Sequence, residues 1–316
     1  MKALRRNRLL VLLLCLLCLP AAAGLHAQGL EESLADQIRA NLAAGRLDAA
    51  LDQARSAVGQ YARSSELQQL LGVTLFKKGL NEEARSAFRR AIACAPSLPQ
   101  NYFNLALVDL AEKRYRDASS SLATCLRLDP RNAQAHLLLG RAYHNQNQTM
   151  PAIEQFKKAL ALEPALPLAH YHLGFAFQSL GNLPSALDEY YQEMQINPQF
   201  PDAHWLGGNI ELEHGNWEAA EKLFREGIHL LPQAYQPHYG LARVYLARRQ
   251  FADAEAELIA ALRAKPDEVE GHYALARLYQ QTGKKDAAER EFAACAALHA
   301  REQKARSGIA GATSQP

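Results

Sequence analysis

Six prolines, Pro96, Pro130, Pro164, Pro198, Pro232 and Pro266, stand 34 residues apart without a slip. A strict period of that length builds a stack of like units, each covering its apolar face with its neighbours, rather than a compact globule. Laid out at this period, the chain shows two further columns. Gly72, Ala106, Gly140, Gly174, Gly208, Ala242 and Ala276 form one that admits only Gly or Ala, and Ala84, Ala118, Ala152, Ala186, Ala220, Ala254 and Ala288 form one that is Ala throughout. A turn signal such as Lys78-Gly79, Gly181-Asn182, Gly215-Asn216 or Thr282-Gly283 falls between the two columns.

Each unit is therefore two segments joined by a tight turn. Leu139, Ala142 and Tyr143 in one segment, and Ile153, Phe156, Ala159 and Leu160 in the next, recur at helical spacing, and strand-like alternation is absent. Pro151 and Pro184 follow the inter-helix turn, where a first-turn proline loses no hydrogen bond, while the 34-spaced prolines follow helix ends. The small columns mark where two helices approach closely. Their larger neighbours are Leu71, Leu105, Leu139, Leu173, Leu241 and Leu275 on the first helix and Phe88, Leu122, Phe156, Tyr190, Phe224, Leu258 and Phe292 on the second. A bulky change such as Ala152→Leu is expected to overpack, at about 1 to 3 kcal/mol.

The pattern His136-x-x-Leu139-Gly140-x-x-Tyr143, then Ala152-x-x-x-Phe156 and Pro164, resembles the tetratricopeptide repeat (TPR), with His in the usual Trp place. The match covers 65–302 as seven units: 65–98, 99–132, 133–166, 167–200, 201–234, 235–268 and 269–302. A weaker unit within 28–64 keeps Gly45 and Ala50 but has Gln37 and Ile38 for the Leu-Gly pair, and reads as an N-terminal cap. The resemblance implies an all-α, right-handed α-solenoid of about eight helix pairs, with the first helices lining a concave groove.

Lys2, Arg5, Arg6 and Arg8 precede an apolar run from Leu9 to Leu19, then Pro20 and small residues, the three-part pattern of a secretory signal. Cleavage after Ala23 or Ala27 fits; an uncleaved anchor in the inner membrane is the alternative, against which the run is short. The expectation is an exported protein of the periplasm or cell envelope, associated with a membrane only if the signal is retained. Removing 1–27 takes four of the 35 Lys and Arg and none of the 33 acids, which leaves a slightly negative chain. With no basic run interleaved with aromatics, nucleic acid is not an expected partner. Cys125 and Cys295 share a column with Ala91, Ala159 and Ala261 and read as small buried hydrophobes; a Cys94–Cys125 bridge is the alternative.

His136, His170, His204, His238 and His272 also stand 34 apart. Members on successive pairs are about 10 Å apart by helix packing, too far to share one ion, so the ladder reads as structural rather than as a metal site. No zinc, nucleophile-elbow or phosphate-loop motif occurs, and the repeats leave no segment for a catalytic domain. The expectation is a non-catalytic chain with no cofactor and no small-molecule substrate.

Carrying the family's concave face onto this sequence selects Phe103, Leu137, Tyr171, Trp205, Tyr239 and Tyr273, and a turn later Leu107, Arg141, Phe175, Asn209, Arg243 and Arg277, bordered by His144 and Gln178. Rings supply apolar contact while Arg and Asn bond carbonyls or acids, which suits an extended peptide or protein segment. The alternative is that these aromatics shield neighbouring helices. Gln69 and Val73 stand where the family's carboxylate-clamp form needs its first Lys and Asn, so a chaperone-tail receptor of that type is not expected. The implied role is a protein-interaction scaffold in envelope assembly, secretion or polysaccharide export; an accessory subunit docking by its convex face or last unit is the alternative.

One stretch breaks the pattern: Glu193 replaces a small residue, Gly207 a Leu and Glu211 an aromatic. Such clustering marks strain or function, and the expectation is a softer joint whose buried carboxylates find partners such as His204. Past Ala300 the last helix is expected to run to about Arg306 and the tail of 303–316 to end disordered, leaving the final unit's packing face open to a partner or to self-association.

Overall fold

The computed structural model describes residues 29–312; the export segment expected over 1–27 lies outside them, as does 313–316. The described residues are helical, with no strand. They comprise α1 (29–43), α2 (Leu47–Gln60), α3 (Ser65–Lys77), α4 (Asn81–Cys94), α5 (Pro99–Ala111), α6 (Tyr115–Leu128), α7 (Ala133–His144) and α8 (Thr149–Leu162), then α9 (Ala169–Ser179), α10 (Leu183–Ile196), α11 (Pro201–Glu213), α12 (Trp217–Leu230), α13 (Tyr235–Ala247), α14 (Phe251–Ala264), α15 (Val269–Gln281) and α16 (Lys285–Ala312). Odd-numbered first helices and even-numbered second helices alternate as eight pairs of an α-solenoid. The chain divides at Pro164/Ala165 into two compact units, with α1–α8 in the first and α9–α16 in the second.

The turn inside each pair has one recurrent requirement. Gly45, Gly79, Lys113, Asn147, Gly181, Gly215, Arg249 and Gly283 occupy one column, and all eight have φ between 58° and 79°. The sequence supplies glycine at five of these left-handed positions and accepts the steric cost of a Cβ at the other three.

The small column is a fitted surface. A Cβ added to Gly72, Gly140, Gly174 or Gly208 would lie 2.5–2.9 Å from the ring of Phe88, Phe156, Tyr190 or Phe224, the aromatic sixteen residues later on the paired helix. Where the second helix offers Leu122 or Leu258 instead, the first carries Ala106 or Ala242. Gly faces a flat ring and Ala faces a leucine, so each pair fills the same gap from opposite sides. The last pair departs from this match, with Ala276 and Phe292; there Phe292 is only half-buried and its ring meets Tyr273 edge-on at 6.1 Å.

The histidine ladder fastens each first helix to the loop before it. Nε2 of His136, His204, His238 and His272 lies 2.8–3.2 Å from the carbonyl oxygen of Pro130, Pro198, Pro232 and Pro266. A carbonyl only accepts, so Nε2 carries the proton. Two earlier units reach the same carbonyl with other chemistry: Tyr102 donates its hydroxyl to Pro96 at 3.0 Å and Gln68 its amide to Ala62 at 3.2 Å. The other ring nitrogen meets the second helix nineteen residues on, Nδ1 of His136 at Gln155 and those of His170, His238 and His272 at Glu189, Glu257 and Glu291, all within 2.6–2.8 Å.

In the pattern-breaking stretch the buried carboxylates find partners, but His204 is not one of them. The carboxylate of Glu193, fully buried in a column otherwise small, accepts from the backbone N–H of Leu168 at 2.9 Å and of Tyr171 at 3.3 Å. Its bulk occupies the place of a regular first turn, so α9 begins two residues late after Leu168 at φ 67°, and the carboxylate caps the N–H groups thereby freed. Glu211 accepts from Tyr191 at 2.6 Å and Asn216 at 2.7 Å. His204 is a partner of neither: its Nδ1 is buried without a hydrogen bond, because Leu223 stands where the other pairs carry Gln or Glu. Met194 Cε at 3.0 Å and Leu223 Cδ1 at 3.5 Å from where a Gly207 Cβ would be occupy the space the missing leucine leaves.

One further expectation, the end of the last helix, changes, while the reading of Cys125 and Cys295 as small buried hydrophobes stands. Helix α16 continues past Arg306, through Ser307-Gly308, to Ala312. Cys94, Cys125 and Cys295 are all free thiols; Cys94 is exposed, the other two are buried, and burial pushes the Cys125 thiol up to about 11.

Candidate functional site

In the first unit, α5 presents Phe103 and Leu107 half-buried against the core formed by Ala106, Leu122, Leu138 and Leu139. Leu137, expected on the groove, is only 3% exposed and belongs to the interior. Arg141 and His144 on α7 are half-buried, and burial holds the His144 imidazole below the ordinary histidine range. This unit thus contributes little free apolar surface from the expected stripe.

The second unit carries the richer surface. Tyr171 on α9 stacks on Phe175 at 6.3 Å, leans on Tyr190 at 6.3 Å and meets Phe200 edge-on at 4.8 Å. Phe175, one turn on, is 40% exposed. Gln178 is occupied in the fold, accepting from the Tyr190 hydroxyl at 2.7 Å. Trp205 donates its indole N–H to Asp202 at 3.0 Å and packs against the cores on both sides of α11. Tyr239 stacks on Tyr235 at 5.2 Å and is half-buried, with burial the main cause raising its hydroxyl pKa. Tyr171, Trp205 and Tyr239 thus also pack against neighbouring helices, as the alternative reading of these aromatics holds.

Further along the same helices, Arg243 donates to the Asn209 side-chain oxygen at 3.0 Å, tying α13 to α11. Arg277 is exposed and Tyr273 is 54% exposed. Around them opens a cleft of about 540 Å³ lined by Leu246, Tyr273, Ala274, Arg277, Leu278, Gln280 and Gln281. Leu246 and Gln280 were not among the expected residues, although they occupy the same 34-residue column as His144 and Gln178 and that column predicts them. Among the described residues no cluster of His, Cys, Asp and Glu is arranged to hold a metal ion, and no helix is long and apolar enough to cross a membrane.

Family models described as tetratricopeptide repeat match residues 36–99, 103–150, 211–274 and 269–298, and one described as TPR repeat matches 140–181. The chain is a tetratricopeptide-repeat protein. The matched segments leave out 182–210, the stretch that holds Glu193 and Gly207. Solved structures share the TPR fold. The Cut9–Hcn1 hetero-tetramer of APC/C aligns at TM-score 0.60 and 19% identity over 71% of this TPR protein, which spans only 44% of that chain. The TPR protein YrrB aligns at 0.52 and 22% over 60% of this chain and 98% of its own. MamA from Desulfovibrio magneticus RS-1 aligns at 0.50 and 17% over 54% and 96%. No curated protein matches the chain.

Proposed function

We propose that this TPR protein is a non-catalytic scaffold that holds a peptide or protein segment against the first-helix face of its second unit. The observation that carries the reading is the exposed pair of Tyr273 and Arg277 with the cleft beside Leu246, an apolar and basic surface on the first helices. TPR repeats serve as protein-interaction scaffolds, and the fold neighbour YrrB carries an unusual peptide-binding site. The proposed setting is the bacterial envelope, in assembly, secretion or polysaccharide export; the basic, apolar and small-residue order of residues 2–27 supports export.

Crosslinked capture from native envelopes tests the reading, comparing the parent with a Tyr273→Ala/Arg277→Ala variant of unchanged helicity. A protein held by the parent and lost by the variant supports it. Equal capture by both moves the interaction to the second-helix face or the last pair, and favours an accessory subunit.

A further inference from the structure

Two helices wall the cleft, α13 through Leu246 and α15 through Tyr273, Ala274 and Leu278. One histidine fastens each of them to the second helix of its pair. Nε2 of His238 lies 3.1 Å from the Pro232 carbonyl oxygen and Nδ1 2.6 Å from the Glu257 carboxylate; for His272 the distances are 2.8 Å to Pro266 and 2.6 Å to Glu291. Carbonyl and carboxylate oxygens only accept, so both ring nitrogens donate, and only the imidazolium carries two protons. A neutral ring would leave one lone pair against an oxygen, and the His238 and His272 side chains, 12% and 16% exposed, have little water to relieve it. Elsewhere in the ladder a neutral ring suffices: His136 meets the Gln155 amide, which can turn its oxygen or its NH2 to the ring, and His204 has no partner at Nδ1.

The charged group facing His238 is Glu257 from α14; α12, packed on the other side, meets α13 there through Gly227 against Pro237. His272 faces Glu291 from α16 and, in the loop before it, Asp267, which pairs with Arg301. Lys265 and Glu268 of that loop pair with each other, and α14 meets α15 there through Leu262 against Gly271. Among the described residues Glu257 and Glu291 form no other ion pair. Bonding to Glu257 raises the His238 pKa; burial lowers that of His272, but Glu291 and the Pro266 carbonyl outweigh it. Both clamps are therefore complete below the ordinary histidine value of about 6.5 and are lost as pH rises through the higher folded values.

We infer that the cleft is gated by protons: with His238 and His272 as imidazolium, α13 is held on α14 and α15 on α16 and the cleft grips its segment, and loss of the two protons loosens both pairs and releases it. This rests on the scaffold reading above and adds its regulation.

Two measurements on the purified chain need no ligand. Long-range proton–nitrogen NMR spectra followed over pH should give His238 and His272 midpoints above about 6.5, with both ring nitrogens protonated below them. Hydrogen exchange read by mass spectrometry and corrected for intrinsic rates should show protection of α13 to α16 falling at least threefold from about pH 6 to about pH 8, relative to α11 and α12. Glu257→Gln with Glu291→Gln keeps the shape and lets each amide donate to a neutral ring, so this variant should keep at the higher pH the protection that the parent loses. Midpoints at or below the ordinary value, an equal fall in α11 and α12, or a variant as labile as the parent at the higher pH each overturn the gate. Envelope capture at the same two pH values separates the gate from the scaffold reading. A client held at the lower pH and released at the higher supports the gate. A client held equally at both, and lost on Tyr273→Ala/Arg277→Ala, overturns the gate and leaves the groove reading standing.

Discussion

Gly140→Ala should reverse its sign according to what faces it. In an exposed helix interior, replacing glycine by alanine gains about 1 kcal/mol of helix propensity. At position 140, however, the new Cβ would lie 2.5 Å from Cε1 and 2.6 Å from Cδ1 of Phe156, a ring only 1% exposed and held between helices. Relief requires moving the ring or spreading α7 from α8, at about 1 to 3 kcal/mol for overpacking. The single variant is therefore expected to lose up to about 2 kcal/mol once the propensity gain is set against the strain. The repeats themselves contain the compensating partner, since Ala106 with Leu122 and Ala242 with Leu258 fill the same gap. In a Phe156→Leu background, Gly140→Ala should instead stabilise by about 0.5 to 1 kcal/mol. Urea denaturation followed by helical circular dichroism on the four proteins of this cycle gives a coupling of about 1 to 3 kcal/mol. If Gly140→Ala destabilises equally in both backgrounds, the fitted-surface explanation fails.

Other expectations follow from the same pairs. Bonding to the Glu257 carboxylate raises His238 above the ordinary histidine pKa; burial pulls His272 down, but Glu291 and the Pro266 carbonyl outweigh it. Both groups bind their proton more tightly folded than unfolded, so their contribution is complete below the unfolded pKa of about 6.5 and is lost as pH rises through the higher folded value. The urea midpoint should fall between pH 6 and 8, and Glu257→Gln with Glu291→Gln should flatten that slope; an unchanged slope refutes the assignment. Arg249→Gly should raise stability by about 0.5 to 1 kcal/mol by removing a Cβ from a left-handed turn, and a lower melting temperature would contradict it. Glu193→Gln keeps the volume but removes the charge capping α9, and should cost about 1 to 2 kcal/mol with faster amide exchange at Leu168 and Tyr171; exchange unchanged at both would count against the cap.

The period of 34, set by prolines, a Gly/Ala column and an Ala column, was enough by itself to determine an all-α stack of helix pairs. Those positions carry constraints that one unit repeats many times: a turn needing positive φ, a close approach of two helices, a carbonyl beside each proline. The histidine ladder was legible as structural, but what it holds was not, because the link runs from ring to loop carbonyl and to a second-helix carboxylate nineteen residues away. Where one unit departs from the rest, the sequence flagged Glu193, Gly207 and Glu211 as odd, while only the packing showed that Glu193 caps a shortened helix and that Met194 and Leu223 fill the Gly207 gap. The groove was decided by tertiary structure for the same reason. A column fixes which direction a side chain leaves its helix, but whether Leu137 is interior and Tyr273 is open depends on the neighbouring helices that cover the first and leave the second exposed.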